Sequence, residues 1–297
     1  MKIPPLPPLA KGGWGDLEGY FLTKEGTMKY FISFLMALFI MSGNASAKDA
    51  WDADGSGDNT AATTQNVLIH TAPAQTHDLE DLSGPATDQD WYVILQRAYR
   101  SHEVQVFDVT DLTLFNDPQN PPVANALTRR DAAGDTVLQD SAHLDPSGRT
   151  RTLRWYSNVD IERRILVSNG FTGNTANTRY SIKLYDTTLF CPRWNNAGTQ
   201  VSVLIVQATD PMVSSSSCHI EAYFYDENGT NVGSATTDLG LHGMWVYPAS
   251  SSPSLTGKKG AAQIIHTCGY GGLAAKLVAL EPSTGFSFDT PCTYLTR

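Results

Sequence analysis

Three aspartates early in the chain have the spacing of a calcium-binding loop. Asp52, Asp54 and Asp58 place oxygen donors at intervals with glycines between them, as the first half of such a loop does. The bidentate glutamate of the twelfth position is missing, because Thr63 stands there. A calcium site completed by oxygens from elsewhere is one interpretation, and an acidic linker of ordinary Asp and Gly residues is the other.

A second pair of carboxylates, Asp88 and Asp90, is separated by a single residue. In an extended segment alternate side chains point to the same face, so the two carboxylates would lie together. They then either cap the preceding turn or hold calcium at the roughly millimolar affinity of extracellular modules. Calcium is the one cofactor that the sequence suggests.

Residues for nucleophilic or zinc catalysis have no recognisable arrangement. The seven histidines include no His-Glu-x-x-His pair and no zinc knuckle, and no Gly-x-Ser-x-Gly motif marks a hydrolase nucleophile. His219 and His266 lie near cysteines and would approach each other if Cys218 pairs with Cys268. Surface histidines on paired strands are the alternative. The sequence leaves enzymatic activity undecided and favours a protein without it.

Aromatic rings offer another kind of site. Trp245 and Tyr247 alternate along one segment, so both rings are expected on one face of a strand, and Tyr270 could join them. Flat rings stack on the apolar faces of sugars and on cations, which makes these three residues candidate ligand-binding residues. Core packing is the alternative, and it is the expectation for Trp194, which lies near the start of a strand.

The four cysteines all lie beyond residue 190, and an even number in an exported chain indicates two disulfides. Three pairings are open. We favour Cys191 with Cys292, which would clamp the terminal strands of a second module, and Cys218 with Cys268 between internal strands. About 250 mature residues allow one large or two medium domains. Because the preceding residues contain no cysteine, we predict domains at 48–190 and 191–297.

The elements that must position these residues are β-strands. Apolar and polar residues alternate between breaks of Gly, Pro, Asn and Asp, which is typical of strands with one buried face. Residues 219–225 and the strand from Asn231 form the clearest hairpin, because Asn228 and Gly229 supply the positive φ of a tight turn. Residues 273–280 favour a strand or loop over a helix. We predict an all-β chain of two antiparallel β-sandwich domains, jelly-roll or Ig-like.

Residues 28–47 have the three parts of an export signal. Lys29 is the charged start, residues 30–41 form the apolar run, and Ala45-Ser-Ala47 is the small-x-small cleavage site. The apolar run is shorter than the roughly 20 residues that a membrane-spanning helix needs. We therefore expect a cleaved signal peptide and a secreted or periplasmic protein without a stable membrane span.

The first 27 residues are rich in Pro and Gly and show no apolar periodicity. A signal peptide normally begins a protein, so we interpret residues 1–27 as an untranslated or disordered extension, with translation starting at Met28. A proline-rich cytoplasmic tail ahead of a signal anchor is the alternative.

The net charge is −9, and removal of residues 1–47 takes away four lysines and three acidic residues, which leaves about −10. This acidic balance argues against nucleic acid as a partner. It suits a dispersed extracytoplasmic protein with carboxylates available for cations.

The first sandwich resembles the bacterial pre-peptidase C-terminal (PPC) domain over residues 50–188. That family is a small β-sandwich attached to secreted proteins, where it acts as an accessory. The resemblance implies that Trp91 enters the core, and the long segment 116–151 leaves the strands there unassigned. It rests on these motifs: Asp58-Asn-Thr60, His77-Asp-Leu79, Asp88-Gln-Asp-Trp-Tyr92 and Tyr180-Ser-Ile-Lys-Leu-Tyr-Asp186.

The second part resembles the C-terminal module of uncharacterised secreted bacterial proteins, through the motif Cys191-Pro-Arg-Trp-Asn-Asn196 and the segment 270–291. That resemblance implies no activity. The leading hypothesis is an exported, non-catalytic protein that binds a polysaccharide, a cell surface or a protein partner. The alternative is a secreted hydrolase whose site is assembled from loops.

Overall fold

The computed structural model of the protein describes most of one compact unit, Lys48–Arg297. The described residues are 60–62, 64–78, 89–108, 127–140, 143–144, 150–168, 179–209 and 217–294. The predicted signal peptide at 28–47 and the aspartates Asp52, Asp54, Asp58 and Asp88 lie outside them. The predictions for those residues stay predictions.

The first half of the described chain forms two antiparallel sheets. Their strand orders are β1-β9-β3-β7-β6 and β2-β8-β4-β5. The strands are β1 (Gln75–Asp78), β2 (Gln89–Gln96), β3 (Arg100–Phe107), β4 (Leu127–Arg130), β5 (Val137–Asp140), β6 (His143–Leu144), β7 (Arg151–Ser157), β8 (Ile161–Ser168) and β9 (Arg179–Asp186).

The second half forms two more antiparallel sheets, ordered β13-β12-β15-β10-β18 and β14-β11-β16-β17. Its strands are β10 (Leu189–Asn195), β11 (Val201–Ala208), β12 (Cys218–Asp226), β13 (Asn231–Leu239), β14 (Met244–Pro248), β15 (Lys259–His266), β16 (Leu273–Glu281), β17 (Phe286–Pro291) and β18 (Thr293–Tyr294). Two 3-10 turns, Ala249–Ser251 and Pro253–Leu255, join β14 to β15.

The predicted all-β class is confirmed, and each pair of sheets packs as a sandwich around one apolar core. The period-2 pattern explains this, because alternate side chains of a strand enter the core. In β11, for example, Leu204 and Val206 are fully buried while their neighbours are not. The predicted hairpin is also confirmed: β12 leads into β13, and Gly229 has a φ of 78°. Residues 273–280 belong to strand β16, as the sequence favoured.

The side chains of β2 that enter the first core are not the ones expected. Tyr92 and Ile94 belong to that core, whereas Trp91 points to the opposite face of the sheet. There Trp91 is buried beneath the Arg130 guanidinium, 5.5 Å from the ring centroid, and beside Gly134. The core position expected for Trp91 is therefore taken by Tyr92.

The boundary between the two pairs of sheets lies between Asp186, the last residue of β9, and Leu189, the first residue of β10. It precedes the predicted domain boundary by a few residues. Only Thr187 and Thr188 join β9 to β10, and both are buried. The Thr187 amide donates to the Ser101 carbonyl at 2.9 Å, and the Ser101 amide donates to Thr188 Oγ1 at 3.0 Å. This short connection is thus bonded to the first sandwich along its whole length.

Candidate functional site: a groove between the sandwiches

An open groove lies where the first sandwich meets the outer face of β10, β12 and β15. It consists of two adjoining pockets of about 480 Å³ and 530 Å³, which share Asp226, Glu227 and Ala261. We call them the aromatic lobe and the charged lobe. The aromatic lobe is lined in addition by Ala98, Tyr99, Arg100, Phe190, Tyr225, Gly229 and Gln263, and the charged lobe by Pro192, Arg193, Trp194, Lys259 and Gly260.

Strand register brings the rings of the aromatic lobe together. Phe190 pairs with Gln263 across the ladder of β10 and β15, and Tyr225 pairs with Ala261 across the ladder of β12 and β15. The small side chain of Ala261 therefore lies on the floor between two rings. Phe190 is 40% exposed, so its ring is open to a ligand from the groove side.

The turn between β2 and β3 supplies the opposite wall. Tyr99 adopts a φ of 55°, a conformation that residues other than glycine seldom occupy. Its ring meets Tyr223 edge to face at 4.9 Å, and its carbonyl accepts a hydrogen bond from Gln263 Nε2. The Ala98 amide donates to Asp160 Oδ1 at 2.9 Å. These contacts hold the turn, and with it the Tyr99 ring, against the second sandwich.

A β-bulge shapes the charged lobe. Cys191 pairs with Ala262 and Trp194 with Gly260, so Pro192 and Arg193 stand opposite a single residue of β15. A bulge of this kind turns a side chain out of the regular alternation. The buried Trp194 supports the floor from beneath, because its indole N–H donates to two backbone carbonyls, those of Tyr225 and Ala261, at 3.0 Å each.

Gly260 is required at the same place. A Cβ atom there would lie 2.1 Å from the carbonyl oxygen of Tyr225 and 2.7 Å from the carbonyl carbon of Asp226. Both are backbone atoms, which cannot move aside cheaply, so only glycine allows β12 and β15 to approach this closely. The floor of the groove is thus a fixed surface.

The acidic residues of the groove are already bonded within the protein. Asp226 Oδ1 accepts from the amides of Asn228 and Thr230 at 2.9 Å each, and Glu227 pairs with Lys259 at 3.0 Å. Arg100 pairs with Asp186 at 3.6 Å. No carboxylate of the described residues lies within ion-pair distance of Arg193, which is exposed. Of the described cationic side chains that line the groove, Arg193 is therefore the one available to bind a ligand.

Burial raises the pKa of the Tyr225 hydroxyl, and the neighbouring Tyr99 raises it further, while Arg100 acts in the opposite sense. Burial likewise raises the pKa of Tyr223, with Glu221 adding to the effect. Both hydroxyls therefore stay protonated at neutral pH and remain hydrogen-bond donors.

Two of the three predicted aromatic ligand residues come together, but the third lies elsewhere. Trp245 and Tyr247 share one face of β14 with ring centroids 5.4 Å apart, and both are half-buried against the second core. Tyr270 instead packs with Tyr185 at 5.2 Å and Tyr294 at 5.0 Å. The structure therefore gives no common platform of the three rings, and Trp194 is fully buried as expected.

Asp90 is the one predicted calcium ligand within the described residues. It is fully buried in β2, where its carboxylate accepts a hydrogen bond from the Tyr180 hydroxyl, which also lies 2.6 Å from the Tyr92 hydroxyl. Burial raises the pKa of Tyr180 well above its usual value, and the Asp90 charge adds to this effect. Calcium binding by Asp90 with Asp88 stays a prediction.

The cysteines pair as the sequence favoured, Cys191 with Cys292 and Cys218 with Cys268. The second bridge does not bring the neighbouring histidines together, because His219 and His266 lie on opposite faces of the sheet. His219 contacts Asp238 at 3.0 Å, whereas the buried His266 lies 2.6 Å from the Thr187 carbonyl. Over the described residues, no group of three or more His, Cys, Asp or Glu side chains is placed to hold a metal ion.

Sequence reasoning missed the groove because its walls are far apart in the chain. Tyr99 lies in a turn of the first sandwich, whereas Phe190 and Tyr225 lie on strands of the second. Phe190 carried a weak signal, since it occupies an outward position beside the buried Leu189 and Cys191. No pattern in the sequence shows which outward rings of one sandwich face the other.

No protein-family model matches the chain, and no curated protein sequence matches it. Several solved structures show a weak likeness, and two of them illustrate it. The full extracellular region of zebrafish Gpr126/Adgrg6 is 11% identical, with a TM-score of 0.22 and coverage of 76% of this chain and 31% of that one. A β-glucuronidase from glycoside hydrolase family 2 is 11% identical, with a TM-score of 0.21 and coverage of 84% and 28%. The chain thus spans about a third or less of either protein, and TM-scores this low establish no shared fold.

Proposed function

We propose that this chain is an exported, non-catalytic binding or accessory protein that holds an extended ligand, a polysaccharide, in the groove between its sandwiches. The observation that carries the proposal is the aromatic lobe, in which Tyr99, Phe190 and Tyr225 surround a small floor residue. Rings presented in this way stack on the apolar faces of sugar rings. The two open, adjoining lobes suit a polymer better than an isolated small molecule.

Export supports an extracytoplasmic ligand. Two disulfides are compatible with an oxidising compartment. Among the described residues, no helix combines the length and the hydrophobicity that crossing a membrane requires. A secreted or periplasmic location after cleavage at Ala47 is part of the proposal.

The experiment is native electrophoresis of the mature protein through gels that contain one soluble polysaccharide each: hydroxyethyl cellulose, xyloglucan or polygalacturonate. We expect at least one of them to retard the protein. Phe190→Ala should weaken the retardation, since loss of one stacked ring of about 1 kcal/mol corresponds to roughly a fivefold to tenfold loss of affinity.

Phe286→Ala is the matched control. Phe286 lies on β17 of the same sandwich and is 68% exposed, but it does not line the groove. If Phe190→Ala and Phe286→Ala migrate alike, or if no polysaccharide retards the protein, the proposed function is wrong. New reducing ends in the incubated polysaccharides would instead support the hydrolase alternative.

A further inference from the structure

We propose that the groove selects acidic polysaccharides, with the carboxylate of a uronic acid bound at Arg193. This inference rests on the proposed function and adds the chemical class of the ligand. It comes from the two lobes lying side by side, one of rings and the other of charged groups, with Asp226, Glu227 and Ala261 common to both.

The lobes share residues of the β12 turn and of β15, so a sugar on Phe190 and Tyr225 has its chain neighbours next to the bulge of β10. The polymer therefore meets rings at one subsite and charged groups at the adjoining one. A ligand that fits must combine an apolar ring face with an ionic or strongly polar group, as a uronic acid does.

The carboxylates of the charged lobe are engaged, since Asp226 caps its own turn and Glu227 pairs with Lys259. Arg193 has no such carboxylate partner among the described side chains, whereas the charge of Lys259 is already paired with Glu227. Arg193 is thus an exposed cation at the charged lobe that is available to an anionic group of a ligand.

A guanidinium presents its N–H groups in a planar fork that matches a carboxylate. The bulge fixes the backbone of Arg193, and Gly260 and the Trp194 hydrogen bonds fix the surface beside it. The Arg193 side chain thus extends from a defined backbone position beside the groove, with its N–H groups available to a carboxylate.

The experiment compares polygalacturonate with the same polymer after chemical reduction of its carboxyl groups to the neutral galactan. Titration calorimetry of the full mature protein should show binding of polygalacturonate that is about tenfold or more tighter than that of the reduced polymer. The difference should shrink as salt rises from about 0.05 M to 0.5 M, because the ionic contribution is screened.

Arg193→Gln should bring the affinity for polygalacturonate close to that for the neutral polymer and leave the latter unchanged. Arg163→Gln, on β8 and outside the groove, is the control and should alter neither. Equal binding of both polymers by the unmodified protein, or an Arg193→Gln variant that keeps the preference, would overturn the inference while leaving the proposed function in place. Binding of neither polymer, together with no retardation in the polysaccharide gels, would overturn both.

Discussion

The two sandwiches differ in the kinds of residue that they bury. The first buries ionisable side chains, among them Asp90, His102, Glu103 and Arg154, and contains no cysteine. The second buries mainly apolar residues and all four cysteines, which form two bridges. The first core is thus accompanied by a buried ion pair between Glu103 and Arg154, whereas the second is cross-linked by two disulfides. We therefore expect the second half to unfold first under reducing conditions and the first half to be the more sensitive to acid.

Reduction of the disulfides should cause the largest loss of stability, and this loss should affect the second sandwich. The bridge between Cys191 and Cys292 closes a loop with a sequence separation of 101. For a loop of this length the chain-entropy estimate is roughly 4 to 5 kcal/mol of stability. Hydrogen exchange in the presence of a reductant should expose the amides of β10 to β18 first.

The double variant Cys191→Ser/Cys292→Ser should reproduce the effect of reduction without any reductant. Simultaneous exposure of the amides of β1 to β9 would instead show that the covalent links stabilise both halves equally.

Breaking the buried ion pair of the first sandwich should cause the second-largest loss of stability. Arg154 Nε lies 2.9 Å from Glu103 Oε2, and both side chains are almost completely buried. Arg154→Met leaves a buried carboxylate without its cation, so we expect a loss of about 3 to 5 kcal/mol in urea unfolding. The double variant Glu103→Gln/Arg154→Met should recover part of that loss.

The second sandwich offers a matched control for the ion pair. Lys276 and Asp289 lie 2.6 Å apart, but both side chains are about half exposed. Lys276→Met should change the free energy of unfolding by less than about 1 kcal/mol. A loss comparable to that of Arg154→Met would mean that burial does not decide the effect.

Acidification should cause a smaller loss of stability, again in the first sandwich. Burial lowers the pKa of His102 from 6.5 to about 4, against an opposing contribution from Asp186. The unfolded chain takes up a proton near pH 6.5, whereas the folded chain does so only near pH 4. The stabilisation is therefore complete above pH 6.5 and lost as the pH falls toward 4, by about 3 kcal/mol.

Urea unfolding between pH 7 and pH 4 measures this loss. His102→Gln should flatten the pH dependence by a similar amount, since the variant has no imidazole to protonate. An unchanged slope would show that other groups cause the acid sensitivity of the first sandwich.

The sequence was a sufficient guide wherever a feature depends on neighbours in the chain. Alternation predicted β12, and Asn228 and Gly229 predicted the hairpin turn. The surrounding Gly and Pro residues favoured a strand or loop where β16 lies, and the position of the cysteines suggested both bridges. These features follow from local conformational preference and from simple geometry.

Features that depend on how surfaces meet could not be predicted in the same way. Trp91 was expected in the core, but Arg130 and Gly134 cover it on the other face of its sheet. The groove depends on Tyr99 facing Tyr223 across the boundary between sandwiches, and on a bulge that changes the direction of Arg193. Tertiary contacts set these positions, and one sequence does not reveal them.

The connection through Thr187 and Thr188 has a practical consequence for dissecting the protein. Its backbone bonds to Ser101 on one side, and the Thr187 carbonyl meets His266 on the other. A fragment that begins at Leu189 would lose these bonds and the Tyr99 wall of the aromatic lobe, but it would keep every residue that lines the charged lobe. If the proposed ligand binds in the groove, we expect this fragment to bind it more weakly than the whole protein does.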